Sequence, residues 1–200
     1  DFAVNFDYPD TMAEIVRVGR FGTRRELDLG LVNEEKYFVY VASFGAFTDS
    51  SYGTPSELKQ TMGRLAYVAN AIKNMNQITK IPTKIILEDE ILEENLLFSA
   101  VLNSVLMVGI VKLDPSTVRL NDGYFELIAV LYPAKVSDLS FVLNALMQQD
   151  FSHELFIYKK VKSVKFVFES DMALTLDGEF GGNHKSLDIR VLPQAWHLYR

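Results

Sequence analysis

Two carboxylic residues flank a glycine in the segment Leu176-Asp177-Gly178-Glu179. In an extended backbone, Asp177 and Glu179 would project to the same side, about 7 Å apart. Such a pair can divide proton acceptance from the organisation of a metal or a phosphate, as phosphoryl transfer requires. Asp-Gly is also a common hairpin turn, and a merely solvated Glu179 would explain the same residues. The spacing alone leaves both explanations open.

A second Asp-Gly pair occurs in the segment Arg119-Leu120-Asn121-Asp122-Gly123-Tyr124. The carboxylate of Asp122 and neighbouring backbone carbonyl groups are the hard oxygen ligands that Mg²⁺ prefers. A single carboxylate makes a weak metal site, and Asn-Asp-Gly turns readily. Taken by itself, this segment is explained more simply as a hairpin turn than as a metal site.

Four lysines form a basic run in an otherwise acidic chain: Lys159, Lys160, Lys162 and Lys165. A basic face can approach anionic lipid headgroups, each lysine contributing about 1 kcal/mol. Lysines also protect the edge of a sheet from aggregation. We favour edge protection for this run.

The composition excludes several classes of protein. The net charge of −6 argues against nucleic-acid binding, which needs a basic surface. The chain has no cysteine, so disulfides and thiolate metal sites are excluded. No phosphate loop, nucleophile elbow or histidine metal spacing occurs. Residues 96–111 are apolar but shorter than the roughly 20 residues of a spanning helix. With no signal peptide visible, a cytoplasmic location is expected.

The elements that must position these residues are mostly strands. Short apolar runs bounded by turn residues predict a mainly β fold of the α+β type, specifically a β-sandwich with two or three helices. The helices are predicted to start at Asp10 and end at Gly19, to cover residues 54–72, and to cover residues 137–148. Strands are predicted at residues 24–32, 36–42, 83–88, 94–103, 107–113, 124–132, 155–158, 162–169, 173–176 and 187–192.

Taken in order, these segments resemble the bacterial diacylglycerol kinases and related lipid kinases, which include the sphingosine kinases. The resemblance covers essentially the whole chain. Each motif is short, but six of them in the same order are specific. They lie at residues 1–3, 27–46, 63–67, 120–127, 176–179 and 191–195.

The resemblance implies a two-domain architecture shared with NAD kinases. Residues 1–20 would connect from an N-terminal nucleotide-binding domain that is missing from this sequence, and residues 21–200 would form the β-sandwich domain on the substrate side. ATP would bind mainly to the missing domain. The chain would thus be the C-terminal half of a lipid kinase, and this half alone is expected to be inactive.

The resemblance also implies roles for individual residues. Glu179 would accept the proton of the lipid hydroxyl, and Asp177 would support the metal–nucleotide arrangement. A structural Mg²⁺ would bind the side chain of Asp122 and the backbone carbonyl groups of Arg119 and Tyr124. The substrate would be a lipid alcohol such as diacylglycerol, taken from the membrane surface by a peripheral enzyme with an apolar groove for the acyl chains. A homodimer is compatible with the sequence.

Two other functions remain open. One is half of an NAD kinase-like enzyme, although the nucleotide-site motifs of that family are not visible. The other is a non-catalytic β-sandwich that binds lipid, which would tolerate Glu179→Gln.

Overall fold

The computed structural model of the chain describes residues 8–9, 11–46, 79–107, 111–114 and 116–200. The helix predicted at residues 54–72 and the motifs at residues 1–3 and 63–67 lie outside the described residues. The statements below concern the described part of the chain.

A short helix, α1, opens the described chain at Met12–Phe21. Thr11 caps its N-terminus, since its hydroxyl oxygen accepts a backbone hydrogen bond from the first turn. Gly22 caps the C-terminus through its N–H. The sequence had placed these boundaries at Asp10, which lies outside the described residues, and at Gly19. The cap and the end therefore each fall later than predicted. No residue of α1 is buried.

Strands make up most of the rest, which confirms the mainly β class. Helix α2, Val136–Gln148, lies between two of them, and it confirms the helix predicted at residues 137–148. The described strands are β1 Arg24–Val32, β2 Lys36–Phe38, β3 Val41–Gly45, β4 Ile81–Ile86, β5 Ile91–Leu102, β6 Leu106–Met107, β7 Val111–Lys112, β8 Phe125–Leu131, β9 Phe156–Val161, β10 Ser163–Leu176 and β11 Glu179–Tyr199.

Nine of these strands form one antiparallel sheet, in which eight follow the order β2-β1-β11-β10-β3-β5-β8-β9 and the ninth, β4, pairs with β10 and β5. Strands β6 and β7 pair separately. The long strand β10 pairs with β11 on one side. On its other side it pairs first with β4 and then with β3. Strand β5 pairs with the same two short strands and, on its other side, with β8. Strands β3 and β4 thus share the space between β10 and β5.

The sheet buries both of its faces at β5 and β8. One cluster of buried side chains includes Phe44, Leu127 and Phe166. The other includes Phe98 and Ile128 and lies against α2, whose apolar face carries residues such as Leu139 and Val142. Strands with two buried faces are nearly all apolar, which explains why residues 96–102 looked hydrophobic enough for a membrane segment. Among the described helices, neither has the length and apolarity needed to cross a membrane.

The segment at residues 36–42, predicted as one strand, is divided into β2 and β3. The backbone N–H groups of Val39 and Tyr40 donate to the carboxylate of Asp177 at 2.7 and 3.0 Å. These groups are therefore not available to a neighbouring strand, and the chain bends at this point.

Candidate active site

Asp177 and Gly178 form the two-residue turn that joins β10 to β11. Their φ angles are 51° and 94°, and Leu176 faces Glu179 across the hairpin. Two positive φ values characterise the type I′ turn that Asp-Gly favours. The extended arrangement considered for Asp177 and Glu179 is therefore corrected: the first lies in a left-handed turn and only the second lies in a strand.

The carboxylate of Asp177 is held by three consecutive backbone N–H groups. Oδ2 accepts from Val39 at 2.7 Å, and Oδ1 accepts from Tyr40 at 3.0 Å and Val41 at 2.9 Å. The N–H of Asp177 donates in turn to the carbonyl group of Val41 at 2.9 Å. Hydrogen bonds from several N–H groups stabilise a carboxylate. Asp177 therefore fixes the turn, and its share in arranging metal and nucleotide stays a prediction.

Glu179 is the first residue of β11, and its side chain is exposed. The hydroxyl group of Tyr40 lies near the turn, only 3.8 Å from where a Cβ on Gly178 would stand. Burial raises the pKa of Tyr40, and the negative charge of Asp177 adds to this shift. A proton acceptor must be reachable by its substrate, and Glu179 meets this requirement on a turn that Asp177 holds in place.

Two polar side chains fasten the backbone immediately after Glu179. The carbonyl oxygen of Gly181 lies 2.6 Å from Nζ of Lys36 and 3.1 Å from Nε2 of His184. Asn33 contacts the other ring nitrogen of His184 at 3.3 Å. The β10–β11 register shifts here, which marks an irregularity in the ladder. These contacts fix the direction in which the strand leaves the turn.

The predicted metal loop is also a turn. Oδ1 of Asp122 accepts from the N–H of Tyr124 at 3.1 Å, and Oδ2 lies 3.3 Å from Nζ of Lys160. Gly123 has a φ of 78°. The three predicted ligands, Asp122, Arg119 and Tyr124, lie within one six-residue loop. In the described part of the chain, no group of three or more His, Cys, Asp or Glu side chains converges. A cation at this loop would therefore need the backbone carbonyl groups, whose hard oxygen atoms suit Mg²⁺.

Sequence reasoning missed the central residue of this region, Asp28. Its side chain is fully buried within β1. Oδ2 accepts from the N–H of Gly123 at 2.7 Å, and Oδ1 accepts from the N–H of Gln194 at 2.8 Å. Burial raises the pKa of Asp28, whereas the two backbone hydrogen bonds lower it and the charge of Asp122 raises it further. Asp28 therefore joins the metal loop to an irregular part of β11.

A continuous set of hydrogen bonds links the two Asp-Gly turns. The Asp177 carboxylate binds the N–H of Tyr40, and the carbonyl group of Tyr40 accepts from the N–H of Asn103 at 2.9 Å. Nδ2 of Asn103 donates to the carbonyl group of Asp28 at 2.9 Å. The carboxylate of Asp28 then holds Gly123. The predicted catalytic turn and the predicted metal loop are thus parts of one hydrogen-bonded unit.

Glu126 is a second residue that sequence reasoning missed. It is 1% exposed, lies 3.5 Å from Nζ of Lys160, and has one oxygen atom, Oε2, with no hydrogen-bond partner among the described residues. Burial raises the pKa of Glu126 to about 7; Lys160 opposes this shift and Asp122 adds to it. A period-2 pattern assigns residue 126 to a strand, but it does not reveal that its carboxylate is buried.

The four lysines do not form one free basic face. Lys159 pairs with Glu90 at 2.5 Å, and Lys162 lies 5.2 Å from the centre of the Tyr124 ring. Lys160 is drawn to Asp122 and Glu126. Two of these lysines lie on β9, the last strand of the sheet. This placement supports edge protection, and contact with anionic lipids stays a prediction.

An open groove of about 630 Å³ lies beside the metal loop. Its walls include Arg25, Leu27, Asn121 and Gln194. They do not include Asp177 or Glu179. The apolar groove predicted beside Glu179 for acyl chains is therefore a different feature, and it stays a prediction.

The chain is related in sequence to bacterial proteins named diacylglycerol kinase. One from Staphylococcus saprophyticus is 33% identical over 184 residues, which cover 91% of this chain and 59% of that protein. One from Staphylococcus carnosus is 31% identical over 183 residues, with the same two coverages. The chain thus spans about three-fifths of the length of these curated relatives. No protein-family model matches it.

Solved structures show the same fold. A "putative diacylglycerol kinase" from Bacillus anthracis superimposes with a TM-score of 0.75 at 20% identity, covering all of this chain and 66% of that one. A diacylglycerol kinase structure from the same organism gives a TM-score of 0.67 at 16% identity and covers 63% of that chain. At these identities the likeness concerns the fold alone.

Proposed function

We propose, on the premise that this chain is related to bacterial diacylglycerol kinases, that it forms the lipid-side half of an ATP-dependent lipid kinase. The complete enzyme would transfer the γ-phosphoryl group of ATP to a lipid hydroxyl such as that of diacylglycerol. The observation that carries this proposal is Glu179: an exposed carboxylate at the start of a strand, directly after a turn that Asp177 anchors with three backbone hydrogen bonds.

Glu179 is the proposed proton acceptor. As the lipid oxygen forms its bond to the γ-phosphorus atom, the bond between that atom and the leaving oxygen of ADP breaks, and the hydroxyl proton passes to Glu179. Phosphoryl transfer has a loose transition state, so position matters more than basicity. An ordinary carboxylate can therefore serve if it is held at the right place.

Asp177 and the Gly181 contacts supply that position. Asp177 has its oxygen atoms on the backbone of residues 39–41, so it cannot swing toward a substrate without losing three hydrogen bonds. Lys36 and His184 hold the backbone on the other side of Glu179 through Gly181. Glu179 lies between these two fixed points, which limits the space that its carboxylate can reach.

Asp122 and the carbonyl groups of Arg119 and Tyr124 are the residues that would hold Mg²⁺. The ion would have a structural role, because its positive charge would hold the carboxylate and carbonyl oxygen atoms of this loop together. The position of this loop is fixed by Asp28, which accepts a hydrogen bond from Gly123. Asn103 connects Asp28 to the segment that binds Asp177.

The proposal is tested with Glu179→Gln in the complete protein, assayed by transfer of ³²P from ATP to diacylglycerol in mixed micelles. Loss of activity by about 10³-fold or more with an unchanged melting temperature is expected for the loss of a catalytic carboxylate. Asp171→Asn, an exposed carboxylate in β10, is the matched control and should retain full activity. Normal turnover by Glu179→Gln would exclude Glu179 as the proton acceptor.

The isolated 200-residue chain is proposed to transfer no phosphoryl group, because ATP would bind mainly to the part of the relatives that the chain does not span. An assay of the complete protein with NAD as the acceptor distinguishes a lipid kinase from the NAD kinase alternative. An NAD kinase would phosphorylate NAD and leave the lipid unchanged. The kinase proposal would fail if the complete protein phosphorylated neither NAD nor any lipid in a panel of diacylglycerol, phosphatidylglycerol and a sphingoid base.

A further inference from the structure

Three oxygen atoms from residues 117–126 converge on the ammonium group of Lys160. Nζ lies 3.0 Å from the carbonyl oxygen of Thr117, 3.3 Å from Oδ2 of Asp122 and 3.5 Å from Oε1 of Glu126. Lys160 lies on the edge strand β9, whereas Thr117 and Asp122 precede β8 and Glu126 lies within it. The ammonium group of Lys160 therefore occupies a position, surrounded by oxygen atoms, of the kind that could also hold a metal cation.

The position has two acidic groups but only one ammonium group. Asp122 and Glu126 provide two carboxylates for one ammonium group. Glu126 is 1% exposed, and its second oxygen atom, Oε2, has no partner in the described part of the chain. A buried acceptor without a partner is costly, and it is the kind of group that an additional cation would satisfy.

We infer that Lys160 competes with a divalent cation for this position, and that Glu126 becomes a ligand of the cation when Lys160 is removed or displaced. This inference rests on the proposed metal loop, with which it shares Asp122. It adds two residues to that loop: Lys160, which would limit metal binding, and Glu126, which would become a further ligand. The donor set is then two carboxylates and backbone carbonyl groups, all hard oxygen atoms that suit Mg²⁺ or Mn²⁺.

Lys160 should weaken metal binding for two physical reasons. Its positive charge repels a divalent ion at close range, in surroundings that are partly shielded from water. It also occupies the lone pairs of Asp122 and Glu126 that the ion would use. The metal must therefore drive a side chain out of its place before it can use both carboxylates.

The test is a titration of the 200-residue chain with Mn²⁺, read by electron paramagnetic resonance of the free ion, without ATP or lipid. Lys160→Met should bind Mn²⁺ at least about tenfold more tightly than the unaltered chain. Lys162→Met is the matched control, because Lys162 rests on the Tyr124 ring rather than on a carboxylate, and it should change the affinity less than about twofold.

Two further variants test the ligands. Glu126→Gln in the Lys160→Met background should weaken Mn²⁺ binding by about tenfold or more, and Asp122→Asn in that background should abolish it. Circular dichroism melting identifies any variant that fails to fold, and Lys160→Gln then replaces Lys160→Met.

The inference that Lys160 competes with the cation would be wrong if the unaltered chain and Lys160→Met bound Mn²⁺ with equal affinity. It would also be wrong if Mn²⁺ binding survived Asp122→Asn in the Lys160→Met background. Binding that is indifferent to Glu126→Gln would overturn the role of Glu126. Because no turnover is measured, these outcomes are independent of whether Glu179 proves to be the proton acceptor.

Discussion

The buried carboxylate of Asp28 accepts a 2.7 Å hydrogen bond from the backbone N–H of Gly123. This contact spans 95 residues of sequence and fastens the proposed metal loop to β1. The other carboxylate oxygen binds the N–H of Gln194, so three distant segments meet at one side chain. Loop placement in this protein therefore depends on a residue that belongs to neither of its Asp-Gly motifs.

Asp28→Asn should lower the free energy of unfolding by about 1–3 kcal/mol, because the amide NH₂ group would face a backbone N–H that now has no acceptor. Urea unfolding followed by fluorescence measures the change. Asp188→Asn, an exposed carboxylate in β11, provides the control and should alter stability by less than about 0.5 kcal/mol. Equal effects of the two substitutions would mean that the Asp28 hydrogen bonds contribute little.

Asp177→Ala should destabilise the chain by about 2–4 kcal/mol, since it removes the acceptor of three backbone N–H groups and places alanine at a φ of 51°. Asp177→Asn keeps an acceptor and tolerates the left-handed conformation, so it should cost about half as much. Thermal and urea unfolding of both variants give the comparison. A smaller loss for alanine than for asparagine would contradict the anchoring role.

Glu126→Gln should make the stability of the protein less dependent on pH. The folded-state pKa of Glu126 is about 7, above its ordinary value of 4.5, so the unfolded chain releases this proton at lower pH than the folded chain does. The contribution of Glu126 to the stability of the unaltered protein therefore falls as the pH rises from 4.5 to 7. The variant should escape this fall, and its relative stability should increase by about 2 kcal/mol across that window.

The measurement is urea unfolding at intervals between pH 4.5 and 8, with EDTA present so that no divalent ion contributes. Glu93→Gln is a suitable comparison, since Glu93 is an exposed carboxylate that pairs with Lys84 at 3.0 Å. A difference between Glu126→Gln and the unaltered protein that is constant with pH would show that Glu126 is ionised throughout.

Gly30→Ala should destabilise the protein by about 1–3 kcal/mol. A Cβ atom at residue 30 would stand 2.1 Å from the ring of Phe38, which is buried and packs against Phe125.

Gly19→Ala in α1 should have the opposite effect on stability. Nothing lies within 4 Å of the added atom, so the higher helix propensity of alanine should raise stability by up to about 1 kcal/mol. Melting temperatures of the two variants should therefore move in opposite directions.

Local patterns were sufficient for the class of fold. Alternating and continuous apolar runs identified most strands, and the stripe at Leu139 and Val142 identified α2, because hydrophobic periodicity reflects which face is buried. The Asp-Gly turn at residues 177–178 was one of the two explanations considered, and its geometry agrees with that explanation.

Long-range contacts were beyond the reach of sequence patterns. The division of residues 36–42 into two strands depends on Asp177, which lies about 140 residues later in the chain. The four lysines resembled a free basic run because their partners, such as Glu90 and Glu126, belong to other strands. The sequence shows which charged residues are present, but only the fold shows which of them form ion pairs.

Strand β10 has consequences for local motion. It pairs with three strands, and the Asp177 turn lies directly at its end. Amides within such a strand exchange with deuterium only when several neighbours open together, so those at residues 164–167 and 174–176 should be among the slowest of the described chain. The proposed proton acceptor, Glu179, would then follow directly on a strand that opens more rarely than most of the described chain. Any movement needed to admit a lipid would have to occur in segments other than β10.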